Sequence, residues 1–257
     1  MLYQVLQYFK FIIQSKNEHG VHSPFLYNML VRCFYDKTFY EDYRNICSYR
    51  KALIRNKTKL EVSDLGAGSR VMHKKQRCIS KIAKTSGSSQ KRAKLLYRLT
   101  RFIKPKFVLE LGTSLGISTY AMHKGYPSAM VTTIEGCENI AAFTEKQLKA
   151  CNTKNISLLT SHFDDILQHV KQYDYDIIFL DGNHQEEATL RYFETLLETV
   201  HNDSIIILDD IYWSKGMTSA WKKIQKHHKV TLTVDTFFWG FVFFRKEQSK
   251  QHFRIRL

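Results

Sequence analysis

From residue 107 onward the chain alternates short apolar runs with longer amphipathic stretches, and this alternation restricts the fold more than any other feature. Phe107–Leu111, Met130–Ile134, Ile156–Thr160, Asp176–Leu180 and Ser204–Leu208 are compact runs rich in Val, Ile, Leu and Phe. A strand with one wet face alternates apolar and polar residues, whereas an unbroken run suits a parallel strand buried on both faces. Between the runs lie helical patterns at Gly116–Lys124, Glu138–Cys151, Asp164–Gln172, Gln185–Val200 and Met217–His227. Repeated strand–helix–strand units predict an α/β fold with a doubly wound, mostly parallel sheet and right-handed crossovers. Val230–Asp235 and Phe237–Phe244 are separated by one residue, too few for a crossover helix, so they predict an antiparallel hairpin at the sheet edge.

Residues 1–106 read differently. They predict helices over 1–16, 23–35, 39–55 and 88–103, broken by EHGVHSPF, where Gly20 and Pro24 interrupt the pattern. They hold 23 Lys/Arg against 6 Asp/Glu, a balance of +17, while residues 107–257 hold 16 against 18, a balance of −2. The expected organisation is therefore a basic, helical N-terminal extension over 1–100 packed on an α/β domain over 101–257. Such asymmetry points to an anionic partner, or to a lysine-rich surface that keeps the chain soluble or rests near anionic membranes. A hydrophobic fraction of 44% with 17 Phe excludes global disorder, and no apolar run is long enough to span a membrane. The opening segment reads as an amphipathic helix, not a cleaved leader. Five scattered cysteines, with no CxxC pair, argue against a disulfide framework or zinc cluster and for a reduced, cytoplasmic setting.

Two turns compete for a nucleotide. Asp64-Leu65-Gly66-Ala67-Gly68 and Glu110-Leu111-Gly112-Thr113-Ser114-Leu115-Gly116 both set an acid and glycines after apolar residues. Ligands of open α/β sheets bind at the carboxyl ends of strands, so the turn should leave a buried strand, enter a helix and be followed by a second strand ending in an acid. The second segment meets these demands: FVLEL precedes it, Gly116 opens a helix, and VTTIE ends at Glu135, placed to accept the ribose hydroxyls.

ELGTSLGIST resembles the first motif of class I S-adenosylmethionine-dependent methyltransferases, in the O-methyltransferase branch of catechol, caffeoyl-CoA and sugar enzymes. The resemblance covers about residues 100–245. It implies a Rossmann-like, seven-stranded sheet with S-adenosyl-L-methionine as cofactor, recognised by Glu110, Gly112, Gly116 and Glu135. It sets Ser114 and Ser118 near the methionine end and Phe163, in the loop after the third strand, beside the adenine. A nicotinamide-binding turn would read GxGxxG, and this one has a residue too many between its glycines.

IIFLDGNH places Asp181 at the end of strand four with His184 beyond it, and IIILDDIYW places Asp209 and Asp210 at the end of strand five. If these strands are neighbours, three carboxylates meet beside the cofactor, and like charges so placed call for a cation or a shared proton. Oxygen ligands suit Mg²⁺ or another divalent cation. The same positions resemble the metal site of catechol-type and sugar enzymes, with Asp181 at the cofactor edge as well. Asn183 stands where related enzymes often carry an acid, which leaves His184 as candidate base. Trp213, with Met217 and Trp221 after it, is a candidate wall of the acceptor pocket, and His19 and His22 are candidates to face the substrate. The predicted activity is methyl transfer to a hydroxyl of a small molecule, an anionic one if the basic arm faces it. The alternatives are an RNA or other polyanion methyltransferase and a non-catalytic cofactor-binding protein. The Asn/Asp-Pro-Pro-aromatic motif of base-nitrogen methyltransferases is absent from strand four. Nothing in the sequence fixes the oligomeric state.

Overall fold

The structure, a computed structural model, describes residues 2–63 and 75–257. The Asp64–Gly68 turn, Arg70 and Lys74 lie outside the described residues. No helix among the described residues is long and apolar enough to cross a membrane. The chain forms two compact units, Met1–Tyr35 with Ile166–Leu257, and Asp36–Asp165, so the first hundred residues are divided between them.

The first unit opens with α1 (Leu2–Gln14), whose buried Phe11 meets the ring of Phe237 at 5.7 Å. Ser23 caps α2 (Pro24–Met29) by accepting the Leu26 N–H at 3.2 Å, and Pro24 occupies the first turn, where a missing N–H loses no helical bond. A single π turn, Leu30–Phe34, continues α2 and buries Leu30, Cys33 and Phe34.

The second unit begins with α3 (Asp42–Arg55), which buries Tyr43, Ile46, Tyr49 and Leu53 at helical spacing. A short antiparallel ribbon follows, β1 (Lys59–Glu61) with β2 (Gln76–Cys78), then α4 (Ile79–Thr85) and α5 (Gln90–Ile103). The predicted strand–helix alternation comes next as β3 (Phe107–Leu111), α6 (Ile117–Gly125), β4 (Met130–Glu135), α7 (Glu138–Ala150) and β5 (Ile156–Thr160). The three strands are parallel, with Leu111 opposite Ile134 and Glu135 opposite Thr160, so their carboxyl ends lie side by side. The stretch predicted as one helix over Asp164–Gln172 is instead α8 (Phe163–Ile166) and a 3-10 turn at His169–Gln172.

The first unit resumes with β6 (Ile177–Leu180), α9 (Glu186–Leu196), β7 (Ile205–Asp209), α10 (Lys215–Lys226), β8 (Leu232–Asp235), β9 (Trp239–Phe243) and β10 (Gln251–Arg254). Every residue of β6 and β7 is buried, as their unbroken apolar runs predict. The edge hairpin forms, and β9 runs antiparallel to both β8 and β7. Within this unit the order is β10-β8-β9-β7-β6. β10 pairs parallel to β8 and is a strand that the seven predicted from the sequence do not include.

Candidate active site

The turn between β3 and α6 is made of backbone that side chains rarely tolerate. Gly112, Ser114 and Gly116 have φ of 107°, 47° and 71°. Gly112 and Thr113 donate their N–H groups to Ile134 O at 2.9 and 3.1 Å, which ties the turn to the end of β4. A Cβ on Gly116 would come within 2.8 Å of Thr144 Cγ2 and 3.2 Å of the Tyr49 hydroxyl. Those two residues brace the loop from outside it: Thr144 Oγ1 donates to Ser114 O at 2.7 Å and Tyr49 OH to Leu115 O at 2.9 Å. Glycine is thus required at 116 both by conformation and by crowding.

Two carboxylates serve this turn in different ways. Glu110 is fully buried, and its Oε2 accepts the hydroxyls of Thr119 at 2.5 Å and Thr133 at 2.6 Å. Its Oε1 has no hydrogen-bond partner. Burial pushes the carboxyl pKa up to about 7, against hydrogen bonds from Ser118, Thr119 and Thr133 that pull it down. Glu110 therefore supports the turn from beneath. Glu135 is only half buried. Its Oε2 accepts the Ser114 N–H at 2.8 Å and its Oε1 the Cys137 N–H at 2.9 Å, so it links the glycine turn to the start of α7. Burial raises its pKa, and the N–H groups of Cys137, Ser114 and Gly136 oppose that rise. A carboxylate oxygen has two lone-pair sites, so each retains acceptor capacity. Ser161 donates its N–H to Glu135 O at 3.1 Å, which sets half-buried Phe163 just beyond the same strand end. Ser118 lies buried in the first turn of α6.

The turn's braces, Thr119, Thr133, Thr144 and Tyr49, are residues of the candidate site that the motif reading misses. For Thr133 the available signal was the threonine pair interrupting the apolar run of MVTTI.

A second group forms in the first unit. Leu180 lies opposite Leu208 in the parallel pair β6–β7, which brings Asp181 and Asp209 to adjacent strand ends. Asp181, His184 and Asp209 each present a ligand atom, and these atoms all lie within 4.8 Å of one another. His184 Nε2 is 3.9 Å from Asp181 Oδ1. Asp210 is not in this group; it follows the strand with φ 52°, and its carbonyl accepts the Trp213 N–H at 2.8 Å. Asn183 and His184 also have positive φ, at 67° and 47°. Non-glycine residues held left-handed around one cluster mark a place where the fold imposes geometry against local preference. Asn183 donates from Nδ2 to Tyr192 OH at 2.9 Å, and its buried Oδ1 has no partner.

The remaining candidates are distributed. Trp213 is half buried, whereas Met217 and Trp221 are core residues of α10. His19 and His22 are exposed, and Glu18 lies 3.7 Å from His19 Nε2. Neither enters the Asp181 group. Three residues past His22, Phe25 packs edge-on against Phe243, the register partner of Ile205 at the opening end of β7, while Asp209 closes that strand.

Known proteins share this geometry. Residues 109–211 match the model described as a methyltransferase domain. No curated protein matches the sequence. Among solved structures, the methyltransferase PaMTH1 of Podospora anserina, bound to S-adenosylhomocysteine, superposes with a TM-score of 0.59 at 16% identity, over 82% of this chain and 99% of that one. The O-methyltransferase TomG of Streptomyces achromogenes, in complex with S-adenosylmethionine, gives 0.58 at 14% identity, over 90% and 100%. An O-methyltransferase of Bacillus cereus in complex with S-adenosylhomocysteine gives 0.54 at 19% identity, over 84% and 94%. The chain has the fold of the class I S-adenosylmethionine-dependent methyltransferases, O-methyltransferases among them, and its residues 109–211 match the methyltransferase-domain family.

Proposed function

We propose that this protein transfers the methyl group of S-adenosylmethionine to a hydroxyl of a small molecule. The observation that carries the reading is the Gly112–Gly116 turn held against the Glu135 carboxylate, because it joins close backbone approach to a half-buried acceptor for a ribose diol. Gly112 and Gly116 admit the cofactor near the main chain. Glu135 takes the ribose hydroxyls, Phe163 flanks the adenine, and Ser114 and Ser118 lie toward the methionine. Glu110 acts by positioning the turn.

Asp181, His184 and Asp209 are the acceptor-activating group. Two carboxylates and an imidazole within 4.8 Å suit a divalent cation, and the nitrogen donor shifts the preference from Mg²⁺ toward Mn²⁺ and its later neighbours. When bound, such an ion lowers the pKa of a coordinated hydroxyl. Without it, His184 is the base: Asp181 beside it favours the imidazolium that forms as the hydroxyl proton is taken. The same nitrogen cannot fill both roles, so chelation distinguishes them.

Calorimetric titration with S-adenosylhomocysteine tests the reading at its root. Saturable binding should weaken at least tenfold in Glu135→Ala, on the order of 1.4 kcal/mol, since a charge-assisted acceptor of two hydroxyls is removed. Equal affinity in the folded variant overturns the assignment of this turn.

A further inference from the structure

We propose that α1 and α10 of the first unit form a docking surface for an anionic lipid bilayer. Leu2, Leu6, Phe9 and Ile13 succeed one another at intervals of four, three and four, and Val5 lies within the same arc, about 100° wide by helical geometry. All five side chains face solvent, with Leu2 75%, Phe9 62% and Ile13 83% exposed. The opposite face is the docked one, through Phe11 and through Tyr8 at its flank, both against Phe237. The helix thus turns a broad apolar stripe away from the core, an arrangement that loses solvation free energy unless something covers it.

The surroundings say what covers it. Tyr3, at the start of α1, shares a groove with Lys215, Lys222, Lys223 and Lys226 of α10. Lys10 is exposed at the edge of the stripe. Neither α1 nor α10 contains an acidic residue, and among the described residues only Lys223 of this set pairs with a carboxylate, that of Glu186 at 3.0 Å. An apolar stripe beside a lysine ridge is complementary to acyl chains beneath anionic headgroups. A helix of 13 residues, about 20 Å long, lies along such an interface and is too short to cross it. A second copy of this chain fits less well, because pairing through α1 would bring two lysine ridges together with no acid on either helix to offset them. A nucleic acid would meet the lysines and leave the stripe uncovered.

The test uses the full chain with extruded vesicles of phosphatidylcholine, alone or with about 30% phosphatidylglycerol, read by co-sedimentation. Binding should require the anionic lipid and fall steeply at about 0.5 M salt, where charges are screened within a few ångströms. Lys222→Glu with Lys226→Glu should weaken it about 25-fold or more, at roughly fivefold per lysine near such a surface. Leu6→Glu with Phe9→Glu should abolish it. These four side chains are exposed, so thermal melts of the variants should match the parent and confirm folding. Failure to bind vesicles, equal binding to neutral vesicles, or indifference to either pair of substitutions overturns the proposal. Self-association abolished by Leu6→Glu with Phe9→Glu, without vesicle binding, assigns the stripe to a second copy instead. Titration with S-adenosylhomocysteine is independent of every one of these outcomes.

Discussion

The glycine turn of the second unit and the acidic group of the first are both built at strand ends, but from different materials. The turn is mostly main chain: two of its three left-handed positions are glycine, and the contacts that set it run to carbonyls and N–H groups. The acidic group is mostly side chain, and its left-handed neighbours Asn183, His184 and Asp210 all carry a Cβ. Backbone sites depend on a few consecutive residues. Side-chain sites depend on which strands are neighbours and which way each residue faces. The first can be read along the chain, and the second needs the register.

The largest effect that separates the two regions is expected from Asp181→Asn. It should lower turnover by about 10²-fold or more, because the residue both faces His184 and belongs to the ligand group. The affinity for S-adenosylhomocysteine should change by less than about threefold, since in the proposed division the glycine turn holds the cofactor. Exhaustive chelation followed by metal add-back decides the mechanism: activity lost and restored supports the ion, and full activity after chelation leaves His184 as base. Should the substitution abolish cofactor binding while sparing turnover at saturation, the division of labour collapses.

This contrast explains what was legible in the sequence. The five strands that begin at Phe107, Met130, Ile156, Ile177 and Ile205, the Glu110 turn and the edge hairpin all announce themselves through local apolar runs and spacing, although Ile156–Thr160, read as a strand buried on both faces, has no fully buried residue. β10 does not, because its residues alternate half-buried and exposed and QHFR has no apolar run; it becomes a strand only through pairing with β8. The short α4 is hidden by the lysines within ISKIAKT, although Ile79, Ile82 and Ala83 are buried. Asp209 and Asp210 are indistinguishable on paper. In a strand consecutive residues face opposite ways, and Asp210 leaves the strand altogether in a left-handed conformation. His184, expected only as a base, is the third member of the group because the Asp181–His184 turn folds back, with the His184 N–H donating to Gly182 O at 2.9 Å.

A smaller effect separates the two carboxylates of the turn. Glu110 holds its proton to about pH 7 in the folded chain and only to its ordinary value of 4.5 when unfolded. Between those values the folded state binds more protons, so stability from this group is greatest below pH 4.5 and is lost as pH rises to 7. Glu110→Gln keeps an oxygen for Thr119 and Thr133 and removes the titration. Urea denaturation at pH 5 and pH 8 should show the variant gaining on the parent by on the order of 1–3 kcal/mol toward the higher pH. A pH-independent difference would mean that Glu110 is ionised across the range.

The smallest effect lies at Ser114, the one left-handed position of the turn that is not glycine. A side chain at φ 47° costs about 1 kcal/mol, partly offset when glycine replaces it by the greater freedom of the unfolded chain. Ser114→Gly should therefore raise stability by roughly 0.5 kcal/mol and the melting temperature by about 1–2 °C. Its main-chain bonds, the N–H to Glu135 and the carbonyl to Thr144, do not need the side chain. If the hydroxyl serves the methionine end of the cofactor, the same variant should bind S-adenosylhomocysteine a few-fold more weakly, about the worth of one hydrogen bond. A more stable protein with weaker binding identifies the strain as one kept for the ligand. A less stable protein would show the Ser114 side chain to be a structural part of the turn, and the difference between this turn and the acidic group would narrow accordingly.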